Sequence, residues 1–357
     1  LKFLEHESYM LITLDPTEIL RAADEMCAKG AANREYLAEA GPAPRGGRLT
    51  GTFIYAHPPD YVGRPTLNWK KDEWRSLFGW LKELRIDTAI FQAAAWAEIR
   101  ECYYPSKVFS GFRGWNILDP LTEAAAAEGM TLFLGGLGNL LAFDERTETD
   151  DFSADRDRQL ACVRELWALY RGGFQGFYMS PETGFPGRRD PAREEKLNAY
   201  YGAVCRGAKE LMPDLPILFS PATYYQADCE AEIRGFLTAI FRGCPVDILC
   251  PQDSIGVFGN RLADLPASFG VWREICREVG AELWVNAESF ERVRAGTTQD
   301  FEPADFRRLA FQLANAGKFG KKIVSWEVPY FYSALAGERG DRLRREYLAS
   351  LVAGERD

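Results

Sequence analysis

Gly176-Phe177-Tyr178-Met179-Ser180-Pro181-Glu182 is a short apolar and aromatic run that ends in a carboxylate. Leu283-Trp284-Val285-Asn286-Ala287-Glu288, further along the chain, has the same form. Runs of this length and composition read as strands buried on both faces. Working outward, strands are expected at 49–57, 88–96, 131–137, 176–182, 217–223, 246–253, 283–290 and 323–328. Amphipathic helices are expected between them, at 71–84, 121–128, 154–170, 192–211, 230–242, 265–279 and 303–316, with a last helix at 342–352. Eight strand–helix units predict an α/β fold, a (β/α)8 TIM barrel. The rival, a doubly wound open sheet, lacks its usual marks: no G-x-G-x-x-G follows the first strand and no G-x-x-x-x-G-K-[ST] occurs. Gly135-Gly136-Leu137-Gly138 reads as a flexible turn after the third strand. Residues 1–47 stand apart: a helical stretch from Asp15-Pro16-Thr17 through Met26, then the loop signal Gly41-Pro42-Ala43-Pro44-Arg45-Gly46-Gly47. The expected organisation is an N-terminal helical extension over 1–47 and a barrel with a C-terminal helix over 48–357.

The net charge of −9 argues against nucleic acid or an anionic membrane as a partner. No apolar run approaches the roughly 18 residues that span a bilayer. The opening Leu1-Lys2-Phe3-Leu4-Glu5-His6 shows no signal peptide. Eight cysteines without a C-x-x-C pair suit reduced, buried thiols and a cytoplasmic protein; a secreted one is the alternative if a leader has been removed. With two histidines, His6 and His57, a zinc site is not expected, and no cofactor is called for.

In such a barrel the working residues sit at the C-terminal ends of the strands. Glu182, Asp253, Glu288 and Glu327 all fall there. Carboxylates are seldom fully buried unless paired, so their presence at strand ends points to chemistry. Strands four and seven lie nearly opposite each other, which places Glu182 and Glu288 on either side of a bound sugar. Glycoside cleavage needs one protonated carboxyl to donate to the leaving oxygen and one ionised carboxylate to attack or to activate water. Aromatics cluster near the same ends: Trp96, Tyr104, Trp115, Tyr224 and Trp326. Their faces suit the C–H faces of sugars. His57, Gln92, Arg113, Gln252 and Asn286 are candidate hydroxyl-binding groups, with Asp253 and Glu327 beside them. Other chemistries fit less well. Lys321 and Lys322 precede the last strand, where a Schiff base is not expected, and a serine triad has only His57 to draw on. A magnesium site on Asp253, Glu288 and Glu327 stays open. The reading is a carbohydrate-processing glycoside hydrolase; a non-catalytic carbohydrate-binding barrel and a metal-assisted sugar enzyme are the alternatives.

Several short motifs, in order, carry a family resemblance. They are Gly51-Thr52-Phe53, Ile86-Asp87-Thr88-Ala89-Ile90, Tyr104-Pro105-Ser106-Lys107, Gly129-Met130-Thr131-Leu132-Phe133-Leu134-Gly135, Gly176-Phe177-Tyr178 with Glu182, Ser220-Pro221, Pro251-Gln252-Asp253 and Trp284-Val285-Asn286-Ala287-Glu288-Ser289-Phe290-Glu291. The chain resembles the glycoside-hydrolase-like barrels classed as domain of unknown function 4434, over roughly residues 49–335. The resemblance implies a barrel related to retaining glycosidases, with Glu182 as acid/base and Glu288 as nucleophile. In one place the sequence departs from that pattern: Pro181 stands where many such enzymes carry Asn before the acid.

Overall fold

The computed structural model describes residues 16–42, 44, 46–56, 66–139, 152–222, 224–292, 301–332 and 336–354. Eight parallel strands form the barrel. They are β1 (Gly51–Ile54), β2 (Thr88–Phe91), β3 (Thr131–Gly135), β4 (Gly176–Met179), β5 (Ile217–Phe219), β6 (Ile248–Leu249), β7 (Glu282–Leu283 and Val285–Glu288) and β8 (Ile323–Trp326). Strand β7 is divided at Trp284. Its first half pairs with β6, Leu249 opposite Leu283, and its second half pairs with β8, Glu288 opposite Trp326. The two ends of the sheet are therefore one strand, and the barrel closes.

The helices follow from their caps and faces. They are α1 (Pro16–Glu39), α2 (Lys71–Glu83), α3 (Leu118–Glu128), α4 (Ser153–Tyr170), α5 (Pro191–Leu211), α6 (Glu230–Phe241), α7 (Leu265–Val279), α8 (Phe306–Ala316) and α9 (Gly337–Gly354). Asp190 caps α5 by accepting from the N–H groups of Ala192 and Arg193, with Pro191 opening the first turn. Gly280 ends α7 in the left-handed conformation at φ 79°. Helix α7 buries one face, with Leu265, Phe269, Trp272, Ile275 and Cys276 on it.

Two apolar cores result. Phe53, Ile90, Phe133, Tyr178, Leu218, Ile248, Cys250, Trp284 and Val324, at least one from every strand, fill the barrel interior. A larger core lies between strands and helices. The barrel is thus packed through its middle. All eight cysteines are free thiols, six of them buried. No helix among the described residues is long and apolar enough to cross a membrane.

Boundaries differ from the expectations in ways the local chemistry explains. Helix α1 runs on to Glu39, through Gly30, which packs against the Phe258 ring, and ends before Gly41-Pro42. Residues Phe290–Arg292 leave the barrel and form an antiparallel pair with Phe301–Pro303. Helix α8 therefore begins later than expected, where the Asp305 side chain caps the Arg307 N–H. Strand β4 stops at Met179, so Glu182 stands in the loop beyond it.

The crossing of β3 and β2 tolerates no side chain at Gly135. A Cβ there would lie 2.1 Å from the carbonyl oxygen of Gln92 and 2.6 Å from its carbon. We expect Gly135→Ala to lower unfolding free energy by about 1–3 kcal/mol in urea titrations, as overpacking does, since backbone rather than a movable side chain must give way. A variant as stable as the parent would show that the rim there is pliable.

Candidate active site

The C-terminal rim carries a connected run of aromatic rings. Tyr178 meets Phe53 edge-on at 5.3 Å between centroids, and Phe53 meets Trp326 at 5.0 Å. Trp326 touches Tyr55 at 5.7 Å, and Tyr55 touches Trp96 at 5.2 Å. Phe53 and Tyr178 belong to the barrel core, whereas Trp326 is only half-buried and forms its upper surface. Trp96 is seated by Gly138, where a Cβ would fall 2.4 Å from the indole ring.

Glu182 lies over this floor on the β4 side. It is half-buried and takes a long 3.4 Å hydrogen bond from Gln92 Nε2 at the end of β2. Its neighbour Ser180 donates to the Gln92 carbonyl at 2.8 Å, which ties the loop after β4 to β2. Burial, and then the nearby Glu182 charge, raise the Tyr178 phenol well above its ordinary pKa.

Glu288 occupies the end of β7 and is buried. The Val257 N–H donates to its Oε2 at 2.9 Å. Its backbone is held from three sides. Its N–H reaches Asp253 Oδ1 at 3.2 Å, and its carbonyl accepts from Arg308 Nη2 at 3.3 Å and Gln312 Nε2 at 3.1 Å. Asp253 is equally enclosed: Gln312 donates to Oδ2 at 2.6 Å and the Ile255 N–H to Oδ1 at 3.2 Å. Burial, and then the neighbouring Asp253 charge, push the Glu288 carboxyl up to about 8; burial pushes Asp253 up to about 6. The Val257 N–H and the Arg308 guanidinium pull the other way on Glu288. Arg308 is itself fully enclosed, and burial lowers its pKa.

Several expected ligand-binding residues sit elsewhere or do other work. Tyr104 is a correction: its hydroxyl donates to Glu165 of α4 at 3.0 Å and its ring packs edge-on against Tyr170, so it anchors a loop to a helix. Asp253 is a second correction, because both its oxygens are taken up beneath the rim by Gln312, Ile255 and the Glu288 N–H. Glu327 is fully buried and accepts the Tyr55 N–H at 2.9 Å, bridging β8 and β1. It does not share a ligand set with Asp253 and Glu288: no group of three His, Cys, Asp or Glu among the described residues is arranged to hold a metal ion. Arg113 is exposed, stacked 4.3 Å over the Trp115 ring and 3.7 Å from Glu101. Both lie on or beside a small sheet of Ala95–Trp96, Glu101–Cys102, Arg113–Gly114 and Leu137–Gly138. Tyr224 lies half-buried against Gly259. Gln252 bridges to Asn286, and Asn286 Nδ2 lies 3.3 Å from Ser220 Oγ. His57 lies outside the described residues.

The sequence reading missed the support of Glu288. Arg308 and Gln312 stand four apart on α8 and so share one face. Two long polar side chains buried among Leu309, Phe311 and Leu313 were the available signal. Gly256 and Val257 contribute backbone, which no residue type announces.

A (β/α)8 barrel with carboxyls at the ends of β4 and β7 and an aromatic rim has the architecture of the glycoside hydrolases. The chain belongs to the family described as domain of unknown function (DUF4434), whose model matches residues 49–334. Its fold is similar to that of a candidate α-L-fucosidase from Bacteroides thetaiotaomicron, at 23% identity and a TM-score of 0.70, over 87% of this chain and 95% of that one. It is also similar to a β-1,4-mannanase of glycoside hydrolase family 113, at 12% identity and a TM-score of 0.51, over 86% and 99% of the two chains. A β-D-glucuronidase from Dictyoglomus thermophilum matches at 13% identity and a TM-score of 0.50, over 80% of this chain and 44% of that one. No curated protein matches the sequence.

The raised carboxyls link folding to pH. Asp253 and Glu288 keep protons in the folded chain at pH values where the unfolded chain has lost them. Their favourable contribution is complete below about pH 4 and is lost as pH rises through about 6 and about 8. Glu288→Gln removes the larger part of that loss. Its melting temperature is expected to gain on the parent by roughly 2–4 °C between pH 5 and pH 9. A difference that stays constant across that range would show that the Glu288 carboxyl titrates normally.

Proposed function

We propose that the protein is a glycoside hydrolase whose working carboxyls are Glu182 and Glu288, acting with retention of configuration. The observation that carries this reading is the contrast between two carboxyls at the ends of nearly opposite strands. Glu182 is half-buried beside a neutral amide, and Glu288 is buried beside a second carboxyl. Environments that differ in this way separate the protonation states of two carboxyls, and in this assignment Glu288 attacks from its ionised fraction, which the Val257 N–H stabilises against the effect of burial. Glu182 protonates the leaving oxygen. Glu288, steadied as the anion by the Val257 N–H, attacks the anomeric carbon. Water then releases the sugar from the glycosyl-enzyme, with Glu182 acting as base.

The half-buried Trp326, backed by the buried Tyr55, offers a ring face to the sugar's C–H groups. Gln92 Oε1 and Asn286 Oδ1 are buried and lack a hydrogen-bond partner among the described residues. Each suits a donor hydroxyl, because a buried acceptor left unmatched is costly. Asn286 is our candidate for the 2-hydroxyl contact that Pro181 cannot make. Burial of Glu288 favours a second reading with the roles exchanged, since a carboxyl held protonated near neutral pH is a ready acid.

Leaving-group dependence separates these readings. The substrates are a panel of aryl glycosides that includes an α-L-fucoside, a β-mannoside and a β-glucuronide, each with a poor and a dinitrophenyl leaving group. Glu182→Gln should lose about 100-fold or more in kcat on the poor leaving groups and keep most of its rate on the activated ones, which need no acid. Glu288→Gln should lose both. The reverse pattern exchanges the roles. Parental rates in both variants would end the proposal.

A further inference from the structure

We propose that helix α1 is a working part of this site, and that Asn33 is a positioning residue that holds the Val257 N–H on the Glu288 carboxyl. Calling Glu288 a working carboxyl rests on the function proposed above; the structural coupling does not. Helix α1 precedes residue 49, where the family match begins.

The segment that grips Glu288 is the turn at 254–260, between β6 and α7. It is strained: Ser254 and Phe258, neither of them glycine, adopt φ of 55° and 60°. Such conformations persist only where the surroundings over-determine them. From inside, the Asn260 side chain donates to the Asp253 carbonyl at 2.8 Å and accepts the Tyr225 N–H at 2.7 Å. From outside, the support comes from α1. Buried Asn33 donates to the Asn260 carbonyl at 3.1 Å and accepts the Leu262 N–H at 2.7 Å, so one amide spans two backbone positions. One turn earlier, Lys29 Nζ donates to the Gly259 carbonyl at 2.7 Å. Between them Gly30 lies against the Phe258 ring, where a Cβ would stand 3.2 Å from its atoms. On its far side the same turn presents Val257 N–H to Glu288 Oε2, and the Gly256 carbonyl accepts from Arg292 N at 3.0 Å. The Arg292 guanidinium in turn meets Met26 of α1. The helix therefore fixes the turn by its carbonyls and N–H groups, and the turn fixes the carboxyl.

A donor held on a carboxylate lowers its pKa. Besides that donor, Glu288 faces Asp253 from the same turn, Arg308 from α8 and Arg292 from beyond β7. A neutral-for-neutral change at Asn33 leaves all three charges in place. The test is a carboxyl carbon NMR titration of the full chain labelled at the glutamate side-chain carboxyl, with the Glu288 signal assigned by its loss in Glu288→Gln. In Asn33→Leu the Glu288 midpoint is expected to rise by about 0.5–1 pH unit. Asn33→Ser, a gentler change, should move it in the same direction and covers the case in which Asn33→Leu does not fold. A midpoint unmoved or lowered in a folded variant overturns the proposal. Because no substrate is present, the result stands whether or not a glycoside is turned over, so failure of the coupling and failure of the proposed activity remain distinct.

Discussion

Strand β7 is hydrogen-bonded along its first half to β6 and along its second half to β8, and the site depends on this double pairing. Trp284 stands at the change-over, its ring in the barrel interior 5.9 Å from Phe133 and its indole N–H on Glu282 at 2.6 Å. The register that closes the barrel also sets Glu288 opposite Trp326 and Asn286 beside Gln252. Side chains alternate along a strand, so a slip of one residue would turn Glu288 toward the helices and Ala287 toward the rim. Closure and the placement of the carboxyl are thus a single constraint.

That placement has an electrostatic cost, and the fold offsets it locally. Asp253, Glu288, Arg292 and Arg308 are all buried within one quarter of the barrel. An isolated charge in such surroundings is strongly disfavoured. Here the guanidinium of Arg308 binds the carbonyls of Glu288 and Phe290, and Gln312 supplies the hydrogen bond that Asp253 needs. Burial is what raises both carboxyls, and at Glu288 the Asp253 charge adds to it. A purely structural rim would satisfy the same backbone with neutral groups.

The strand–helix alternation and the position of each barrel strand were legible in the sequence, because period and composition are properties of single segments. That Glu182 and Glu288 each follow an apolar run at the C-terminal side of the barrel was legible for the same reason; the role proposed for them is not read from that pattern alone. What eluded the reading depends on contacts between distant segments. Tyr104 looked like a rim residue beside Trp96, yet a glutamate on α4 claims its hydroxyl. Asp253 looked like a third rim carboxyl, yet Gln312, far along the chain, draws it beneath the surface. The turn at 254–260 works through backbone N–H groups and left-handed residues that are not glycine. Neither leaves a mark in residue type.

The rim also separates two tasks. Glu288 ends a barrel strand held by α8 and faces a turn held by α1, and Glu182 stands in the loop just beyond β4. The small sheet formed after β2 and β3 builds the opposite wall, and its exposed Arg113 stacked on Trp115 makes no contact with that machinery beyond Glu101 among the interactions seen here. Its central strand carries Trp96, which joins the aromatic floor through Tyr55. Changes on the Arg113–Gly114 edge strand can therefore leave Trp96 in place, whereas Gly138 on the other edge seats its ring directly. Such a division is how one barrel frame hosts hydrolases for different sugars. Likeness of fold to a fucosidase-like protein and to a mannanase therefore speaks for the frame and not for a substrate.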